Sequence, residues 1–249
     1  MRDDLYVDFY SLETSHWWFC ARRLIVEMLL NEHIGGRRAP LIADVGCGTG
    51  ANLAMLHRVG RPVGIDASWR ALTFAQSRGE TALVAGTLPS LPCQNESFDV
   101  VCALDVIEHI ENDAAAVEEL VRVCKPGGLI VITVPAYQWL WSEHDVVNEH
   151  KRRYTRTNLG TRVKHPQVEA LKLTYMNTFL ALPMMAYRLM RNLSRTRHPE
   201  ARATSDLVAP PAMVNRILFW IFCMEKFWLR CGSFPFGISV VCILRKHEL

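Results

Sequence analysis

The stretch "LIADVGCGTG", residues 41–50, decides the fold. Three apolar residues lead to an acid, and glycines follow at spacing two: Gly46, Gly48 and Gly50. A short buried strand that breaks into a glycine turn and then a helical segment, here "ANLAMLHRV" (51–59), opens a βαβ unit. Glycine tolerates positive φ and lets a ligand approach the backbone closely. The helix after it offers unpaired N–H groups at its start. The spacing by itself leaves three readings open. Asp44 to Gly50 spells D-x-G-x-G-x-G. Gly46, Gly48 and Ala51 also satisfy G-x-G-x-x-A, the dinucleotide fingerprint, and Asp66 closes the second strand where a ribose-binding acid belongs. A plain turn with no ligand is the third.

Working outward, strand and helix patterns alternate. "PVGIDAS" (62–68) is a second strand and "WRALTFAQSRG" (69–79) a helix. "TALVAG" (81–86) is a third strand and "FDVVCALDVI" (98–107) a fourth, followed by the helix "DAAAVEELVRVC" (113–124). "KPGG" (125–128) turns into the strand "LIVITVP" (129–135), and "VEALKLTYM" (168–176) and "GISVVCILRK" (237–246) complete seven. Such alternation requires crossover connections and a mostly parallel sheet. The expected fold is α/β, a doubly wound, seven-stranded, mostly parallel sheet. The expected organisation is one domain. Residues 1–39 form an N-terminal helical lid, 40–176 the core, 177–236 a helical insert, and 237–249 the last strand.

The chain has 249 residues, 50% hydrophobic and 21% charged, enough to bury a sizeable core. A net charge of +3 does not argue for a nucleic-acid partner. The eight cysteines form no C-x-x-C pair, and several sit in apolar runs. They read as reduced core thiols of a cytoplasmic protein. Residues 1–10 are acidic and polar without a signal-peptide pattern, and no apolar run reaches the length of a membrane span.

Four motifs in order break the tie at the glycine turn. "DVGCGTG" (44–50), "GIDAS" (64–68), "LPCQNESFDVVCALDVIEHI" (91–110) and "LVRVCKPGGLIVITVP" (120–135) together resemble the class I S-adenosylmethionine-dependent methyltransferases of the type 11 group. The resemblance covers about residues 40–135. It implies that Gly46, Cys47, Gly48 and Gly50 pass under the methionine part of the cofactor and that Asp44 helps hold its amino group. It also implies that Asp66, with Ala67 beside it, accepts the ribose hydroxyls, and that the backbone of Leu104 and Asp105 meets the methionyl amine. Many relatives place an acid after the third strand to contact adenine. Here "AGTLPSLP" leaves Thr87 and Leu88 to line that pocket.

After the fourth strand come Asp105, Glu108 and His109. On a helix, at about 100° per residue, the three fall within one arc. Three readings stay open. Glu108 and His109 cap the next helix. Alternatively His109 is a general base toward an acceptor hydroxyl or amine, oriented by Glu108. In the third, the cluster resembles the E-x-x-E-H metal site of small-RNA 2′-O-methyltransferases, with a related pattern in ubiquinone-type enzymes. That resemblance makes Asp105, Glu108, His109 and His150 ligands to Mg²⁺, Mn²⁺ or Zn²⁺. His144 and Asp145 are spare candidates.

"HWWF" with "ARR" (16–23) reads either as a hydrophobic staple or as a cofactor lid reaching an anionic acceptor through Arg22 or Arg23. "HKRRYTR" (150–156) reads as a solvated face or a phosphate contact. With "LWSEHD" (140–145), these motifs are similar to bacterial methyltransferases of surface-glycan and lipid pathways. The implied activity is O-methylation of a hydroxyl on a glycan, lipid-linked or natural-product acceptor. Metal-free O- or N-methylation and a non-catalytic cofactor-binding protein are the alternatives. Residues 177–236 carry two apolar segments around "SRTRHPEARATSD", which reads as mobile. They suit a peripheral membrane contact or the roof of a lipid-shaped pocket. A helical hairpin packed on the core or in a homodimer is the other reading.

Overall fold

A computed structural model of the chain describes residues 5–197 and 209–248. The centre of the sequence folds as its periodicity requires. Strands β1 (Leu41–Val45), β2 (Arg61–Asp66), β3 (Leu83–Ala85), β4 (Phe98–Leu104) and β5 (Cys124–Pro135) pair in parallel. β6 (Val168–Met176) and β7 (Ser239–Lys246) complete a seven-stranded sheet in the order β3-β2-β1-β4-β5-β7-β6. β7 runs antiparallel to both its neighbours. β4 and β5 are buried along almost their whole length, as befits strands covered on both faces by helices.

The helices are α1 (Leu5–Leu12), α2 (Trp17–His33), α3 (Leu53–Leu56), α4 (Trp69–Ser77), α5 (Asp113–Val123), α6 (Glu143–Val147), α7 (Arg156–Arg162), α8 (Ala181–Arg197) and α9 (Ala212–Cys231). α2 starts where His16 caps it, its imidazole accepting from the Trp18 N–H, and stops before Gly35 and Gly36. The helix expected over 51–59 is reduced to α3. The expected mobile stretch 194–206 lies largely outside the described residues.

Strand order reverses between β1 and β4, so the crevice beyond their C-terminal ends is where this architecture holds ligands. β4 stops at Leu104, three residues short of the sequence expectation, because Asp105 turns the chain with φ of 59°. A single 3-10 turn, Ile107–His109, follows. The insert emerges between β6 and β7 as α8 and α9. Its inner side is tied down by Glu225, whose buried carboxylate accepts the N–H groups of Asn177, Thr178 and Phe179 at 2.6 to 2.8 Å.

Candidate active site

The glycine turn shows why its residues are glycine. Gly46 has φ of +70°, and a Cβ there would stand 2.6 Å from the Val106 side chain. Gly48, at φ of +56°, would point a Cβ into open space, so the backbone is bare toward a ligand. The turn is held from β2. The Gly48 N–H donates to one Asp66 oxygen and the Ser68 N–H to the other, both at 2.8 Å. Each oxygen keeps a further lone pair for a hydroxyl. Asp44 is fully buried, and neither carboxylate oxygen has a hydrogen-bond partner. Burial raises its pKa to about 7. An orphaned buried carboxylate next to bare glycine backbone is what a ligand bearing an ammonium group would complete.

A cavity of about 220 Å³ opens from this turn. Gly46, Cys47, Gly48, Leu104 and Asp105 form one end, and Glu108, His109, His144 and His150 the other. Its roof is the N-terminal region, through Phe9, Glu13, Trp18 and Arg22, and α8 adds Met184 and Arg188. The sequence-predicted residues Asp44, Gly50, Asp66, Ala67, Thr87 and Leu88 do not line this cavity. Leu88 is buried, whereas Thr87 is exposed and turns its hydroxyl back to the Leu88 carbonyl.

At the far end, Glu108, His109 and His150 each present a ligand atom within 4.8 Å of the others. The two imidazole rings meet edge to face at 4.6 Å. Glu108 is completely buried, both of its oxygens lack a partner, and burial raises its pKa to about 8. Burial, with His150 adding to it, lowers His109 to about 3, which keeps that imidazole neutral. A buried carboxylate and two imidazoles are a donor set that a divalent cation completes.

Asp105 does not join this set. Its positive φ takes it off the helical path on which the three residues were expected to converge. Its carboxylate pairs with the Arg22 guanidinium and accepts from Thr133 Oγ1 at 3.2 Å. The nearer cation satisfies the charge, so Asp105 stands in the cavity wall with the glycine turn and the expected fourth ligand is lost. Arg22 is thus engaged within the protein, and Arg23 donates to the Glu13 carbonyl.

His150 is held by a partner that sequence reasoning left as a spare ligand. Its Nδ1 lies 2.8 Å from Asp145, which leaves Nε2 for the cluster. Asp145 is wholly buried and also accepts from Arg153 Nε and Nη2 at 2.7 and 2.8 Å and from the Ser142 N–H at 2.8 Å. These donors hold its carboxyl well below the usual range despite burial, which acts in the opposite sense. Arg153 is therefore not a solvated cation: it is buried on Asp145, in the wall of the cavity. The H-x-x-R spacing of "HKRR" and the nearby "SEHD" were the only hints of this chain of contacts.

Residues 43–132 match the family model described as "Methyltransferase domain". A human protein named "Probable tRNA methyltransferase 9B" is 38% identical over 101 residues, which is 39% of this chain and 22% of that protein. The Dictyostelium discoideum mitochondrial "Ubiquinone biosynthesis O-methyltransferase" is 27% identical over 165 residues, covering 51% of each chain. The chain spans a fifth to a half of the length of these curated relatives. Among solved structures, the Haloferax volcanii protein in complex with the Trm112 methyltransferase activator superposes with a TM-score of 0.62 at 17% identity, covering 99% of this chain and 96% of that one. The glycine turn, the acid ending β2 and the sheet order agree with that match, and residues 43–132 are a class I S-adenosylmethionine-dependent methyltransferase domain of the type 11 group.

Proposed function

We propose that this chain transfers a methyl group from S-adenosylmethionine to a hydroxyl oxygen of an acceptor held beside Glu108, His109 and His150, with a divalent ion bound to those three side chains. The observation that carries the reading is Glu108. It is fully buried and unpartnered, next to two imidazoles, in the same cavity as the glycine turn.

The cofactor supplies an electrophilic methyl on a sulfonium. The protein's part is alignment. Gly46 lets the turn pack on Val106, Gly48 leaves room for the ligand, Asp66 offers its spare lone pairs to the ribose, and Asp44 favours the ammonium. Arg22, paired with Asp105, closes the roof and limits water. In-line displacement then needs an acceptor oxygen placed on the cavity side of the turn. A divalent ion on the cluster would lower the pKa of such an oxygen. Two ligands at about 2.1 Å from one ion stand at most about 4.2 Å apart. Drawing the cluster in from 4.8 Å is therefore a small side-chain movement.

A metal-free reaction with His109 as base is the alternative, and its pKa of about 3 argues against it. An effective base titrates near the working pH. A protein that binds the cofactor without catalysis is the other alternative. The named relatives include both a ubiquinone-pathway O-methyltransferase and tRNA enzymes, so phenolic, lipid-linked, glycan and RNA hydroxyls all belong in the acceptor panel. The test is methyl transfer from labelled cofactor across that panel, after chelation and after return of Mg²⁺, Mn²⁺ or Zn²⁺. Turnover lost with chelator and restored by an ion supports the reading. Turnover indifferent to chelator removes the ion, and no turnover on any acceptor favours the non-catalytic binder.

A further inference from the structure

The α8–α9 hairpin carries an apolar face that none of the described residues covers. On α9, Met213, Ile217, Trp220, Met224, Phe227 and Trp228 recur at spacing three and four, and all six are more than two-fifths exposed. Met213 is 76% exposed and Phe227 66%. On α8, Leu182, Leu189 and Met190 are likewise exposed. This outward stripe is not a loosely packed helix awaiting rotation. The opposite face of α9 is anchored by Phe222 against Trp17 with ring centroids 6.1 Å apart, by buried Leu229, and by Glu225 on three backbone N–H groups. Asn215 fixes the same helix to the start of α2, accepting from the Trp17 N–H at 2.9 Å and donating to the Ser15 carbonyl at 2.9 Å.

Charge accompanies the apolar face. Residues 177–236 hold eight Lys and Arg against three Asp and Glu, a net of +5, in a chain whose total is +3; all other residues together sum to −2. Glu225, the one acid among the hairpin's described residues, is buried. Arg216 is exposed on α9, Arg230 is exposed but paired with Glu32 at 3.0 Å, and Lys226 Nζ stands 5.1 Å from the Phe227 ring centroid. Tryptophan and phenylalanine flanked by cations is the composition of a helix that lies in a lipid interface. Among the described residues no helix is long and apolar enough to cross a membrane.

We propose that the α8–α9 hairpin seats the protein on an anionic lipid surface, with the α9 stripe of Met213, Ile217, Trp220, Met224, Phe227 and Trp228 entering the headgroup–acyl boundary and the surrounding Lys and Arg contacting lipid phosphates. α8 also places Met184 and Arg188 in the wall of the cavity. One helix therefore joins the lipid-facing surface to the acceptor side of the site, so the acceptor is an amphiphile presented from that surface. This second step rests on the methyl-transfer reading; the docking itself does not. An RNA partner fits the cations but not a continuous aliphatic and aromatic stripe, since phosphates are met by charge.

The experiment is flotation of the full chain with phosphatidylcholine vesicles and with phosphatidylcholine–phosphatidylglycerol vesicles. S-adenosylhomocysteine binding is measured in parallel as the check that each variant is folded and that the cofactor site is sound. The expected result is flotation with the anionic vesicles that added salt weakens. Trp220→Ser combined with Phe227→Ser lowers the partition coefficient at least about tenfold and leaves S-adenosylhomocysteine binding unchanged, because neither residue lines the cavity. Arg216→Ser lowers it about fivefold on anionic vesicles only. No flotation, or equal flotation of wild type and double variant, overturns the proposal. So does a dimer, or retention of RNA, that the double variant abolishes while vesicles are ignored. Flotation with no cofactor binding would leave the docking standing and sink the methyl-transfer reading instead.

Discussion

Asp145→Asn tests whether the cluster is a built site. Asp145 receives both Arg153 nitrogens, the Ser142 N–H and the His150 ring. The amide removes the charge and one acceptor oxygen, and so leaves a buried guanidinium without its counterion. Losing one partner of a buried ion pair costs about 3–5 kcal/mol. Asparagine keeps one acceptor, so the lower end, about 3 kcal/mol, is expected. In a chain of this size that is a fall in Tm of roughly 6–12 °C. The same change frees the ring that Asp145 orients. Loss of such an outer hydrogen bond lowers metal affinity by about 10- to 100-fold. The two effects separate in the double variant Asp145→Asn, Arg153→Met. It removes the stranded cation and recovers most of the stability, but it leaves His150 unoriented and metal affinity low. Urea unfolding and calorimetric titration with Zn²⁺ or Mn²⁺ read the two quantities. A double variant that regains metal affinity along with stability would refute the reasoning, because Asp145 would then matter only through folding.

Four further outcomes follow from the site. Glu108→Gln, isosteric and neutral, should abolish stoichiometric metal binding while changing S-adenosylhomocysteine affinity by less than about threefold, since Gly46, Gly48 and Asp66 hold that ligand separately; metal analysis and calorimetry check it. Asp66→Ala should weaken S-adenosylhomocysteine by about 2–3 kcal/mol, because it loses the ribose acceptor and the bracing of the Gly48 N–H together; intact binding would mean that the cofactor sits elsewhere. The pKa of Asp44 is raised to about 7 in the free protein, and a bound ammonium favours its ionised form and lowers that value. Affinity for S-adenosylhomocysteine should therefore be full above pH 7 and fall about tenfold per unit below it, down to the bound pKa. Asp44→Asn should flatten the profile, and an unchanged slope in calorimetry across that window would count against the assignment. Gly46→Ala should cost about 2–4 kcal/mol of stability, since its Cβ overlaps Val106 and its φ is positive; a thermal shift below about 2 °C would contradict the packing described.

Strand periodicity, the glycine turn and the order of motifs are local properties, and they determined the sheet and the cofactor end without help from distant contacts. β4, β5 and β7 announce themselves by runs of four or five apolar residues, and Gly46 and Gly48 are required by the turn they make. The boundary of β4 was not legible, because "DVI" continues the apolar pattern while the backbone reverses at Asp105. The partner of Asp105 was not legible either. Arg22 is 83 positions away, and only the tertiary packing of α2 brings it within reach of that carboxylate. Asp145 and Arg153 looked like members of polar loops. Their burial depends on how 136–157 folds back over the cavity. On α9 the sequence shows apolar residues on nearly every side, so periodicity could not choose an inner face. That choice fell to buried Glu225, whose carboxylate must be satisfied, and to half-buried Asn215, and their contacts with Asn177, Thr178, Phe179 and Trp17 turn the remaining stripe outward.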